Sequence, residues 1–145
     1  MFKYVLLTVI LIASVFVGAC GGQSQPSPSP TPSITPPPTA PSGTTAAQLA
    51  DLGKTVFANR CAGCHGESGQ GVQAPAVIGA GTSLGKYNTA EGLFNFVSTA
   101  MPAKAPGSLS QQDYLNVVSY LLLQNSFVAP TDLLDASRLG SITLN

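Results

Sequence analysis

The chain's one histidine stands directly behind a close pair of cysteines, in Phe57-Ala58-Asn59-Arg60-Cys61-Ala62-Gly63-Cys64-His65. Whatever those three side chains hold, the chain has to fold around it. The spacing C-x-x-C-H is that of covalent haem attachment. Two thiols add to the two vinyl groups of one porphyrin, and the next side chain reaches the iron. Ala62 and Gly63 are small and leave the macrocycle edge unobstructed. Other uses of these residues are weaker. A zinc site needs four ligands, and with one histidine the inventory barely reaches them even by borrowing Cys20. A redox C-x-x-C asks for a β-α-β context, which is missing. A Cys61–Cys64 disulfide leaves His65 without a role.

About 100 residues are free to pack around this motif, enough for one small domain. Residues 1–19 carry Lys3 near their start and run apolar from Val5 to Ala19, and eight of the twelve prolines lie between residues 23 and 45. As a helix the apolar run spans about 22 Å, short of the ~30 Å hydrocarbon core, so it reads as a secretory signal. Its end, Val17-Gly18-Ala19-Cys20, resembles the lipobox of bacterial lipoproteins. That resemblance implies cleavage before Cys20, acylation of its sulfur, and a stable hold on the extracytoplasmic or periplasmic face of a bacterial membrane. An uncleaved anchor helix with an incidental Cys20 is the alternative. The proline-rich stretch buries too little apolar surface to order itself and reads as a polyproline-like tether reaching up to roughly 70 Å. The expected division is therefore 1–19 signal peptide, 20–45 lipidated cysteine and disordered linker, 46–125 folded domain and 126–145 C-terminal tail. Six basic residues balance six acidic ones, and charged side chains make up 8% of the chain. A nucleic-acid partner, which needs a clustered basic excess, is excluded.

From about Ala46 to Asn125 the sequence resembles the class I cytochrome c family. Members open with a helix carrying a glycine and, four residues on, an aromatic just before the cysteines; Gly53 and Phe57 occupy those positions. They close with a helix that crosses the first at the glycine, and QQDYLNVVSYLLLQN corresponds to it, with Val117 and Tyr120 expected at the crossing. Read on its own, that segment has Ser110 as N-cap and Asp113 at the third helical position. Leu109 and Tyr114 are placed for a hydrophobic staple. Its apolar residues Tyr114, Leu115, Val117, Val118, Leu121 and Leu122 recur at helical spacing. The resemblance implies an all-α class I cytochrome c fold around one haem c.

For the sixth iron ligand, elimination leaves Met101, since Met1 belongs to the leader and there is no second histidine. Its setting, Ser98-Thr99-Ala100-Met101-Pro102, resembles the family's methionine–proline loop. Core filler is the alternative for a lone methionine, but the prolines and glycine of AMPAKAPGS prevent the helix such a filler usually sits in. By resemblance, His65 is the proximal ligand and the Pro75 carbonyl accepts the hydrogen bond from its outer nitrogen, which fixes the imidazole. By the same route Tyr87 and Asn88 are placed to bond a propionate, though a capping role for Asn88 or Thr89 fits equally well. The chain has no tryptophan, a departure from the best-known members, and the inner propionate's partner is not carried over.

Histidine–methionine ligation fills both axial positions and suits single-electron transfer. The expected protein is a non-enzymatic, membrane-tethered electron carrier of a respiratory or photosynthetic chain, or the equivalent subunit of a quinol-oxidising assembly such as alternative complex III. Its partners are then other redox proteins and the membrane. Two readings from other classes stay open: a haem with a displaceable Met101 that acts as peroxidase or gas sensor, and a subunit in which the haem only staples a small fold. The tail 126–145 has two roles to choose between, docking in a complex or a short helix, capped by Thr131, that packs back on the domain.

Overall fold

Thr45 starts the first helix of the computed structural model, which describes residues 43–145. The signal-like run, Cys20 and nearly all of the proline-rich stretch lie outside those residues. Thr45 accepts a hydrogen bond from the Gln48 amide through its hydroxyl (3.3 Å), and the Gln48 side chain accepts one from the Thr45 amide (2.9 Å). This reciprocal cap satisfies two otherwise orphaned groups and opens α1, Ala46–Arg60. Ala46, Leu49, Ala50, Gly53 and Phe57 form its buried stripe. A single turn, α2, covers Ala62–His65. A loop and a 3-10 turn at Leu84–Tyr87 lead to α3, Ala90–Ala100. Thr89 is the N-cap of α3, its hydroxyl accepting from the Gly92 amide at 3.1 Å. The closing helix α4 spans Gln111–Gln124 and is capped by Ser110, whose hydroxyl accepts from the Asp113 amide (3.0 Å). No extended strand is present among the described residues; two isolated bridges join Thr45 to Leu133 and Thr89 to Thr143.

Every residue from Asn116 to Leu122 in α4 is buried, so mid-helix it has no solvent face. The helix tolerates this because its two polar residues there are paired: Gln112 donates to Asn116 Oδ1 (2.9 Å) and the Ser119 hydroxyl to the Leu115 carbonyl (2.7 Å). It crosses α1 at Gly53. A Cβ on Gly53 would overlap the Asn116 carbonyl and stand 2.9 Å from Tyr120 Cβ. The Phe57 and Tyr120 rings pack beside that point with centroids 5.4 Å apart. Tyr120 therefore sits at the crossing as expected. The other closest residue is Asn116, not Val117, which is one position on and turns instead into the cleft described below. The i+4 step from Asn116 to Tyr120 puts both over the glycine; Val117 lies about 100° further round the helix.

Past α4, Ser126 takes a left-handed conformation (φ 60). The Phe127 amide bonds the Leu122 carbonyl (2.9 Å) and the Ser126 amide that of Leu123 (3.1 Å), a Schellman stop. The remaining chain folds back and buries Val128, Leu134, Leu139 and Leu144. It also meets helix starts. The Ala46 and Ala47 amides donate to the carbonyls of Asp132 (2.8 Å) and Pro130 (3.1 Å), and the Ala90 amide to Ile142 (2.9 Å). These first-turn amides have no partner inside their own helices, so the tail supplies what the caps do not. Thr44 joins this layer, accepting from the Leu134 amide at 3.0 Å. Thr44, assigned to the linker on composition, thus bonds to the tail, and Thr45 beside it pairs with Leu133 in an isolated bridge. The tail's short 3-10 helix, Ala136–Ser141, is capped by Asp135, not Thr131. No helix among the described residues is long and apolar enough to cross a membrane.

Candidate functional site

A cleft of about 570 Å³ opens between α1, α3, α4 and the two loops that join them, within the range of organic-cofactor sites. Its inner wall is apolar, formed by Phe57, Leu84, Leu93, Val97, Val117 and Leu121. Cys61, Cys64, His65, Pro75, Tyr87 and Met101 all line it. Residues from four separate parts of the chain thus meet around one cavity.

Each is held by its local structure. Cys61 ends α1, and the turn of α2 follows at once, the Cys64 and His65 amides both bonding the Cys61 carbonyl. The next loop bends beneath. Gln73 and Ala74 amides bond the Cys64 carbonyl at 2.9 and 3.0 Å. Gly71 makes the bend, with φ 85 and so little room that a Cβ would stand 2.8 Å from the Ala76 amide nitrogen. This return brings the Pro75 carbonyl to 2.8 Å from His65 Nδ1. A carbonyl only accepts, so Nδ1 carries the proton, and in the neutral ring the lone pair is on Nε2.

On the far side, Met101 is the C-cap residue of α3, extended in backbone (φ −122, ψ 154) and followed by a cis bond to Pro102. Its carbonyl accepts from the Tyr114 hydroxyl at 2.7 Å. Tyr87, on the 3-10 turn, packs its ring against Phe96 (centroids 4.9 Å apart), with Lys86 Nζ 5.0 Å from the Tyr87 centroid. Asn88 does not cap α3; it holds the tail, its carbonyl accepting from the Leu144 amide at 2.9 Å.

Two structural supports of the site escaped sequence reasoning. Asn125, beyond the last turn of α4, donates to the Val77 carbonyl (2.9 Å) and accepts from the Gly79 amide (3.1 Å), so it clamps the loop that carries Pro75. Tyr114 has its ring in the core, where a staple would put it, but its hydroxyl bonds the Met101 strap. The only signal in the sequence is a residue with polar capacity at each end of an apolar helix.

Comparison with known proteins identifies the family. The family model for cytochrome c oxidase, cbb3-type, subunit III matches residues 48–121, just over half of the chain. The chain belongs to that family of c-type cytochromes. It is also 35% identical over 91 residues to thiosulfate dehydrogenase of Stutzerimonas stutzeri (strain A1501), a match covering 55% of this chain and 28% of that protein. In fold it is similar to a chain of the sulfane dehydrogenase SoxCD structure from Paracoccus pantotrophus, with a TM-score of 0.57 and 24% identity, over 69% of this chain and 58% of that one. This cytochrome thus spans well under two thirds of either relative. A helical cytochrome c fold and an electron-transfer role follow from the family, which implies covalently bound haem c.

The residues present fit such a group. The cleft walls are apolar, as a porphyrin requires, and the donors at its rim are an imidazole and a thioether, both suited to haem iron. Burial pushes the Cys61 thiol up to about 11, against the lowering effect of the neighbouring Arg60 guanidinium. Thiol–disulfide chemistry depends on the opposite shift.

Proposed function

We propose that this cytochrome is a mono-haem electron carrier held to a bacterial membrane by a lipidated Cys20. Cys61 and Cys64 would form the two thioethers, and His65 and Met101 would ligate the iron. The observation that carries the proposal is the His65–Pro75 bond in a cleft that Met101 also lines. It commits Nδ1 to the protein and leaves Nε2 for a metal, while the one methionine downstream of the motif faces the same cavity. When bound, the haem supplies one-electron chemistry. The chain's own residues fix the imidazole, shield the cleft with apolar side chains and present a thioether. Held by His65 and Met101 together, the group would pass single electrons, and in this reading the chain is a carrier that would not turn substrate over. Tyr87 is the residue we assign to a propionate.

In domain terms the proposal is a signal peptide at 1–19, a lipidated cysteine and linker at 20–45, a cytochrome domain at 46–125 and a tail at 126–145 that packs on it. Cytochromes of this kind are generally extracytoplasmic, which agrees with an exported chain. The two relatives are dehydrogenases by name, and they favour a role as the electron-accepting component of an oxidoreductase system, with a quinol-oxidising complex as another setting.

The axial assignment is tested by the visible spectrum of the oxidised protein, where the weak red charge-transfer band of iron–thioether bonding is expected. Met101→His should abolish that band, keep six-coordination and lower the reduction potential, since imidazole donates more strongly than thioether. An unchanged potential and spectrum would remove Met101 from the iron. The tether is tested separately: Cys20→Ser should release the protein from membranes and slow transfer to its native partner by lowering the effective concentration.

A further inference from the structure

We infer that the Tyr114 hydroxyl is a positioning group that latches the Met101 strap closed over the cleft. The inference rests on the reading of Met101 as an iron ligand. Tyr114 is only 1% exposed, yet its one polar atom has two partners, and both belong to the strap's backbone. The hydroxyl donates to the Met101 carbonyl at 2.7 Å and accepts from the Leu109 amide at 3.3 Å. The two ends of the segment from Met101 to Leu109 are therefore pinned to the same oxygen atom.

Between those ends the strap has little to hold it. Ala103 to Ser108 are all exposed, and their side chains are small or polar. Within it, the Ala105 amide bonds the Pro102 carbonyl (2.8 Å). Between the ends, its tie to the rest of the domain among the described residues is an exposed one, Arg60 Nη2 donating to the Ser108 hydroxyl at 3.0 Å. Between Met101 and Leu109, which are themselves partly buried against the core, hydrophobic burial contributes little to closing the strap, whereas α4, which carries Tyr114, is packed into the core along most of its length. A thioether is a neutral, weak donor, so a strap of this kind needs an external hold if sulfur is to stay in place. Removing the hydroxyl leaves a carbonyl and an amide without their partner, while the ring keeps its place in the core.

The test is a titration of the full-length oxidised holoprotein with imidazole, at fixed pH and salt, following loss of the red charge-transfer band. Imidazole binds the fraction of molecules in which the strap is open, so its apparent affinity reports that fraction. Tyr114→Phe should bind imidazole about tenfold more tightly than the parent, the change expected from losing one to two ordinary hydrogen bonds. Val118→Ala, a buried change in the same helix that does not line the cleft, should leave the affinity within twofold while lowering the melting temperature. Equal affinities for parent and Tyr114→Phe, or the same tightening in both variants, would overturn the latch. A second measurement needs no variant. In the reduced parent protein the Tyr114 hydroxyl proton should exchange slowly and show a nuclear Overhauser effect to Met101; a freely exchanging hydroxyl would equally refute the inference. Absence of the red band in the parent itself would show instead that Met101 is not a ligand, and the latch would fall with that reading.

Discussion

Gly53→Ala is the sharpest test of how the two long helices meet. In an exposed helix interior the change would gain about 1 kcal/mol, because alanine is the better helix former. Here the new methyl would overlap the Asn116 carbonyl and lie 2.9 Å from Tyr120 Cβ, whereas comfortable contact begins at about 3.4 Å. Neither obstacle can rotate aside, since one is backbone and the other is the first side-chain atom. The helices must separate by more than about 0.5 Å, and a gap of that size forfeits a quarter or more of each van der Waals contact across it. Overpacking of this kind costs about 3 kcal/mol at the upper end of its usual range, so after the propensity gain the domain should lose about 2 kcal/mol. For a domain of this size that lowers Tm by roughly 8–16 °C. Thermal unfolding of the holoprotein followed by far-UV circular dichroism measures it. Ala58→Gly, on the exposed side of the same helix, calibrates propensity alone at about 1 kcal/mol of destabilisation. If Gly53→Ala melts at or above the parent temperature, the close crossing is wrong.

Three further outcomes are expected. Replacing Cys61 or Cys64 by serine should leave a single thioether and a less stable holo-domain, because a core of about 100 residues is thin without the porphyrin; normal acid-resistant haem content with both replaced would refute covalent attachment. Asn125→Ala removes the bonds to Val77, Gly79 and Leu121 and should cost about 2 kcal/mol, with faster amide exchange at Gly79 than in the parent; unchanged exchange would mean that the clamp is not what holds that loop. Truncation after Phe127 strips Val128, Leu134, Leu139 and Leu144 from the core and frees the Ala46, Ala47 and Ala90 amides. At roughly 1.5–3 kcal/mol for each buried apolar side chain, the loss is comparable to the whole stability of a small domain, so the truncated chain should accumulate poorly; full yield with an unshifted Tm would make the tail dispensable.

Much of this protein is written in short-range patterns. The spacing of Cys61, Cys64 and His65, the Ser110 cap and the apolar periodicity of α4 are local, and local chemistry dictates them without reference to the rest of the chain. Composition likewise sets the proline-rich segment apart as an expected linker, and that expectation falls outside the described residues. Gly53 lies between these cases. Its presence in a helix signals a close approach, but which atom approaches depends on helix rotation, and that selected Asn116 over Val117.

The long-range polar contacts were not readable in this way. A tyrosine in an apolar stripe looks like core, and only the folded chain brings its hydroxyl to Met101 and Leu109, the former 13 residues away. Asn125 reads as a helix end until a loop 48 residues earlier is seen against its side chain. Sequence leaves the tail two roles, docking or packing back on the domain, and in the fold the first-turn amides of α1 and α3 bond to its carbonyls. A hydrogen bond needs two groups within about 3 Å at a workable angle. Sequence states that each group exists; it is the packing of helices on one another that decides which pairs meet.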